Sequence, residues 1–104
     1  MREGNYQTQL IKKLEYLFPG SLILKNDPNY IQGLPDLIVL YDDQWAALEV
    51  KSNPTQVRPN QRYFVERMDD MSFARFISPE TEEEVLNDLQ QAFNSHRSTR
   101  VSRR

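Results

Sequence analysis

The sequence predicts an α/β fold in which helices flank a central mixed β-sheet, with elements in the order α-β-β-β-α-β-α. Two observations lead to this prediction. Apolar residues recur with a helical period in three segments, and short runs of aliphatic and β-branched residues lie between them. A chain of 104 residues suffices for one domain with a single core, so we expect one layered domain.

The first helix is predicted over residues 5–18, because one stripe of apolar residues runs along it and Pro19-Gly20 then ends it. A short strand is expected at Ser21–Lys25. A loop that ends near Gly33 follows this strand. The helical stripe comprises Tyr6, Leu10, Leu14 and Leu17.

The next two strands, predicted over residues 36–41 and 45–51, form a hairpin. The aliphatic run after Pro35 is typical of a strand covered on both faces, with proline tolerated at its start. If the turn has two central residues, Asp42 and Asp43, the numbers of residues that pair across the two strands sum to 85. Asp36 then lies opposite Glu49. A different loop length makes these two residues diagonal neighbours.

The last third of the chain predicts a helix, a strand and a helix. Pro59 is suited to the first turn of a helix over residues 59–71, and residues 73–77 form the following strand. The last helix begins at Ser78-Pro79-Glu80 or at a capping box over residues 81–84. The predicted buried residues are Phe64, Met68 and Met71 in the first of these helices and Val85, Leu89 and Phe93 in the second.

Charge and composition divide the chain and exclude several protein classes. Residues 94–104 contain four arginines and no acid, so we expect a folded domain over residues 1–93 and a basic, disordered tail over 94–104. The tail is either a plain solvated end or an arm that binds phosphate.

The absence of cysteine excludes disulfides, zinc–thiolate sites and thiol nucleophiles. We also expect no membrane span and no signal peptide, hence a cytoplasmic protein.

One group of charged residues indicates chemistry. Glu49 and Lys51 are two apart in a strand and share a face, and the hairpin brings Asp36 to them. Two facing carboxylates repel each other unless a cation lies between them, and Mg2+ prefers such oxygen ligands. The alternative is structural: Asp36 begins a strand, and Glu49 with Lys51 is an ordinary ion pair.

These residues also resemble a family signature. Gly33-Leu34-Pro35-Asp36, followed after twelve residues by Glu49-Val50-Lys51, is similar to the motif of the PD-(D/E)xK nuclease superfamily. Within it, the compact layout looks like VRR-NUC domains or archaeal-type Holliday junction resolvases. The resemblance covers residues 3–93. It implies a restriction-endonuclease-like core and a DNA endonuclease that uses Mg2+, with Mn2+ able to substitute.

The resemblance also implies roles for particular residues. Asp36 and Glu49 bind the metal, the backbone carbonyl of Val50 adds a ligand, and Lys51 assists the attacking water. Glutamine at the start of the helix after the Glu-x-Lys strand is a VRR-NUC feature that Gln61 matches. The family's acid in the first helix matches Glu3, although Glu3 is equally well a residue of a frayed terminus, and Glu15 is a rival acid.

Further expectations concern binding and assembly. A homodimer is expected because so small a domain offers little surface to grip DNA, and twofold symmetry is suited to branched or junction DNA. Family members of this kind are often phage-encoded in a bacterial host. The alternatives are a non-catalytic subunit that binds DNA or protein, and a small α/β interaction domain with an accidental triplet. The basic residues expected to contact phosphates are Lys25, Arg58, Arg62, Arg97 and Arg100.

Overall fold

A computed structural model describes residues 3–27, 29–53 and 57–102, with backbone only for residue 3 and residues 96–102. The predicted order α-β-β-β-α-β-α is confirmed. Across these ranges, no helix is both long and apolar enough to cross a membrane. The elements are α1 (Glu3–Leu17), β1 (Leu22–Lys25), β2 (Leu37–Tyr41), β3 (Gln44–Val50), α2 (Pro59–Met71), β4 (Ala74–Ile77) and α3 (Glu82–Ser102).

The four strands form one mixed sheet in the order β1-β2-β3-β4. The first three are antiparallel, and β4 runs parallel to β3. Tyr41 pairs with Gln44 and Leu37 with Leu48. The numbers of paired residues in β2 and β3 therefore sum to 85, the value predicted for a two-residue turn. Asp42 begins the two-residue turn at φ 56°, a left-handed conformation that aspartate tolerates better than most residues.

Helices α1 and α3 cover one face of the sheet and bury the main core. This core takes Leu37 and Val39 from β2 and Leu48 and Val50 from β3, which are alternate residues along each strand. Tyr6 is buried, and its hydroxyl donates a 2.9 Å hydrogen bond to Glu82 Oε1, which joins the two helices. The helical contribution to this core is Tyr6, Leu10 and Leu14 from α1, Phe18 just after it, and Val85, Leu86, Leu89 and Phe93 from α3.

Helix α2 packs on the opposite face, over β3 and β4, and buries a smaller cluster. Val65 is its buried residue, packed with Ala47 and Ala74, while Met68 is half-buried. Met71 was expected to share the buried side, but it is 64% exposed. It lies in the last turn of α2, where Ser72 then ends the helix by donating from its hydroxyl to Trp45 O at 2.6 Å. The end of α2 therefore still contacts the sheet, and Met71 is exposed because it lies beside the face that carries Val65 and Met68.

Helix α3 begins at Glu82, in agreement with the second of the two predicted starts, and its backbone continues to Ser102. This differs from the disorder expected after Phe93. Residues 94–102 contain neither proline nor glycine, so nothing in them interrupts the helical hydrogen bonds. Residues 103–104 lie outside the described residues, and a domain boundary at residue 93 stays a prediction.

Candidate active site

The β2–β3 hairpin brings Asp36 and Glu49 together on the face that α2 partly covers. One step beyond the Leu37–Leu48 pair, the same register puts Asp36 opposite Glu49. Asp36 Oδ2 accepts a 2.9 Å hydrogen bond from the backbone N–H of Val50. This bond fixes the first carboxylate to the strand that carries the second, so the pairing of the strands sets their separation.

Lys51 completes the group with a buried ion pair. Its Nζ lies 3.2 Å from Glu49 Oε2, and the side chains of Lys51 and Glu49 are only 10% and 4% exposed. The backbone of Lys51 is held as well, because its N–H donates to Ile77 O at 2.8 Å. Residues of this polarity are rarely buried unless they are paired, and Lys51 and Glu49 meet that condition by pairing with each other.

The pKa of the Asp36 carboxyl is raised above its ordinary value because the group is withdrawn from water. The Val50 N–H, the Lys51 ammonium and a hydrogen bond with the Glu49 side chain oppose this rise. Two carboxyl groups in such contact need a shared proton or a cation between them. The metal-free protein therefore holds Asp36 in an environment that resists its ionisation.

A polar cleft of about 320 Å³ opens beside the two carboxylates. Three parts of the chain meet around it: the β1–β2 loop, the hairpin that carries the two carboxylates, and the start of α2. Its lining residues are Asn26, Asp27, Asn29, Ile31, Gln32, Gly33, Leu34, Asp36, Glu49, Arg58, Asn60 and Gln61.

Gln61 lines this cleft and also caps α2. Its Oε1 accepts a 3.1 Å hydrogen bond from the backbone N–H of Arg58, the residue that precedes the helix. An N–H group can donate only to an acceptor, so the amide oxygen is the atom committed to the cap. The NH₂ group of Gln61 is not used by this cap and can donate to another group.

The other predicted site residues are distributed unevenly. Arg58 lines the cleft, whereas Lys25 and Arg62 are exposed on β1 and α2 outside its lining. The backbone of Glu3 begins α1, and those of Arg97 and Arg100 lie in α3, but their side chains are outside the described residues. Their contacts with DNA stay predictions.

The amide side chains of the cleft, other than that of Gln61, were not predicted from the sequence. Asn26 donates from its side chain to Pro35 O, and its backbone N–H donates to Asp36 O at 2.9 Å, so it braces the loop before the first carboxylate. Asn60 packs against Gly33 from the start of α2. The available signal was the number of amide residues directly before Pro35-Asp36 and around Pro59.

The donor set is suitable for a hard divalent cation. Asp36 and Glu49 supply carboxylate oxygens beside a polar cleft that water can fill, and Mg2+ takes one or two carboxylates while keeping several waters. Within the described ranges, no group of three or more His, Cys, Asp or Glu residues could hold a metal ion. Further ligands of such a cation would be water, phosphate oxygens or a backbone carbonyl such as that of Val50.

Comparison with known proteins defines the class of fold. No protein-family model and no curated protein match the sequence. A solved structure matches the chain with a TM-score of 0.65 and 26% identity, covering 82% of this chain and 94% of the other. The chain therefore has the nuclease fold of the PD-(D/E)xK superfamily. That matched structure is titled "VRR_NUC domain", which confirms the more particular resemblance.

Proposed function

We propose that the protein is a Mg2+-dependent endonuclease that hydrolyses DNA phosphodiester bonds, with a preference for branched or junction substrates. The observation that carries this proposal is the buried group formed by Asp36, Glu49 and Lys51 on adjacent strands of a nuclease fold. Mn2+ is expected to substitute, because it accepts the same oxygen ligands.

Each residue of the group has a distinct task. Asp36 and Glu49 would hold the metal, and a bound divalent ion supplies Lewis acidity that lowers the pKa of water and neutralises phosphate charge. The Lys51 ammonium orients the attacking water and stabilises the negative charge that develops on the phosphate. Gln61 donates from its NH₂ group to a phosphate oxygen or to a water, since its oxygen caps α2.

Cleavage assays with matched variants test this proposal. Asp36→Asn and Lys51→Met should each reduce the cleavage rate about 100-fold or more, whereas Asp70→Asn, an exposed acid at the end of α2, should not change it. Wild-type protein should also gain thermal stability with Mg2+ or Mn2+, and Asp36→Asn should lose that gain. Full activity in either site variant would refute the assignment, and cleavage of none of flap, fork, junction and duplex DNA would favour the non-catalytic alternative.

The phosphate contacts of the proposal involve basic residues at several positions. Arg58 has the strongest support, because it lines the cleft beside the carboxylates. Lys25 and Arg62 would contact DNA further out, and Arg97 and Arg100 would do so from α3. Truncation after Phe93 should weaken DNA binding and flatten its salt dependence if these arginines touch phosphates. An unchanged slope would exclude such contacts.

We also propose a homodimer, and edge strand β1 supports it. Leu22 and Leu24 are 62% and 46% exposed on this strand, on the part of the sheet that α2 does not reach. A second copy that covers these leucines would protect an open sheet edge. Light scattering should therefore report a dimer for the wild type and a monomer for Leu24→Glu. A wild-type monomer would refute this part.

A further inference from the structure

Amide side chains make up much of the cleft lining, and the cleavage mechanism gives a task to Gln61 alone among them. Of the twelve lining residues that lie in the described part of the chain, five carry a carboxamide. Three of them, Asn29, Gln32 and Asn60, are exposed, so their amides are accessible to a bound molecule. The other two, Asn26 and Gln61, are engaged in bracing the loop and capping α2.

The charge along the cleft separates two regions. Asp36 and Glu49 make its inner end acidic, Asp27 adds a carboxylate that accepts from the Asn29 N–H, and Arg58 is the single cationic residue among the lining side chains the structure describes. Surfaces that track a DNA backbone are rich in lysine and arginine, because they must offset phosphate charge. Neutral amides instead offer both donors and acceptors, which is the pattern on the edge of a nucleobase.

The position of these amides is well defined by contacts between the loop and α2. Gly33 has φ +92°, and a Cβ atom there would lie 2.9 Å from the Asn60 side chain. The loop is also closed locally, because the Asn29 N–H donates to Asp27 Oδ1 at 2.9 Å and the Tyr30 N–H donates to Asp27 O at 3.1 Å. The amides of the loop and of α2 are thus held close together.

Tyr30 adds an aromatic surface to the same loop. Its side chain is 80% exposed, and its neighbours Asn29 and Ile31 both line the cleft. An exposed tyrosine beside a nucleic-acid site provides a plane on which an unpaired base can stack, whichever base it is. Nothing in the fold requires a large aromatic residue at this solvent-exposed position.

We propose that the loop over residues 29–33, with Asn60, forms a subsite for one unpaired nucleobase that flanks the scissile phosphate. Tyr30 stacks on the base, and the amides of Asn29, Gln32 and Asn60 contact its edge. This inference rests on the proposed function, because it places the phosphate at Asp36 and Glu49.

The size of the cleft limits what this subsite accepts. A volume of about 320 Å³ lies at the small end of the roughly 300–1,000 Å³ typical of ligand pockets, so it accommodates one nucleotide and not a duplex. A paired base is stacked on both of its faces and is not available to Tyr30. The enzyme therefore selects substrates in which a nucleotide has already left the helix, as at a flap, a bulge or a branch point.

Binding to a designed flap substrate tests the subsite. The probe is a DNA flap with 2-aminopurine as the unpaired nucleotide at the branch, compared with an abasic residue at that place. Binding is measured by fluorescence in Ca2+, with gels to verify intact strands. Tyr30→Ala should weaken binding of the base-containing flap about fivefold or more, and wild-type protein should quench the 2-aminopurine. Tyr30→Phe and Tyr16→Ala, which removes a tyrosine that is 82% exposed on α1, should bind as the wild type does.

The abasic flap separates stacking from other effects. Wild-type protein should bind the abasic flap at least as weakly as Tyr30→Ala binds the base-containing flap, because the abasic flap lacks both the stacked face and the base edge. On the abasic flap, Tyr30→Ala should make no further difference. An equal effect of Tyr30→Ala on both flaps, or no effect on either, would overturn the subsite. Cleavage of the same flaps in Mg2+ is scored separately. If the protein binds the base but cuts no DNA, the nuclease proposal is refuted and the subsite is supported. If it cuts both flaps equally well with or without Tyr30, the subsite alone is overturned.

Discussion

Removal of the Lys51 ammonium should destabilise the metal-free protein strongly. Its Nζ lies 3.2 Å from Glu49 Oε2, which corresponds to a gross attraction of about 5 kcal/mol at an effective dielectric constant of 20. Lys51→Met leaves the Glu49 carboxylate buried beside Asp36 without that cation. Breaking a buried pair in this way costs about 3–5 kcal/mol. Such a loss is a large part of the roughly 5–15 kcal/mol by which a domain is stable.

Urea unfolding in EDTA measures this effect. The double variant Lys51→Met with Glu49→Gln removes both charges, so its free energy of unfolding should return to within about 1–2 kcal/mol of the wild type. Lys12→Met, on the exposed side of α1, should change it by less than about 0.5 kcal/mol. Glu49→Gln is measured alone as well. The buried ion pair is not responsible if Lys51→Met costs no more than Lys12→Met, or if the double variant loses as much stability as Lys51→Met and Glu49→Gln lose together.

Two further predictions concern Asp36 and the loop glycines. Because the pKa of Asp36 is raised above 3.8 in the fold, the folded state binds more protons than the unfolded one, so the metal-free protein should lose stability as pH rises from about 3.8 through the raised pKa. Urea unfolding should show this loss and show it reduced in Asp36→Asn; parallel pH profiles would contradict it. Gly33→Ala should cost more than Gly20→Ala in thermal melts, since both have positive φ but only a Cβ at Gly33 meets Asn60, within 2.9 Å; equal losses would exclude that contact.

The hairpin shows how far sequence reasoning reaches. Asp42-Asp43 between two apolar runs predicted a turn but left its length open, and the Tyr41–Gln44 pair shows that the two-residue alternative is the one adopted. Strand alternation then placed Glu49 and Lys51 on one face. These inferences are local, because each depends on a few neighbouring residues and on the fixed period of a strand.

Features that depend on packing between distant segments were not predictable. Met71 has the right spacing from Met68 to be buried, but the side of α2 that faces the sheet is centred on Val65, and at 3.6 residues per turn Met71 is turned away from Val65. The meeting of Asn60 with the loop at Gly33 likewise joins segments whose distance apart is set only by the folded chain. Gln61 was predicted at the start of α2, but the commitment of its oxygen to the Arg58 N–H required coordinates.

The unequal covering of the sheet has a consequence for how this fold can be regulated. Two helices seal one side, while α2 shields only the β3–β4 half of the other, and the carboxylates lie at the margin of that shield. Access for a polymer thus depends on leaving this margin bare. A peptide or an appended helix that filled it would block the cleavage that we propose, without touching the buried charges themselves.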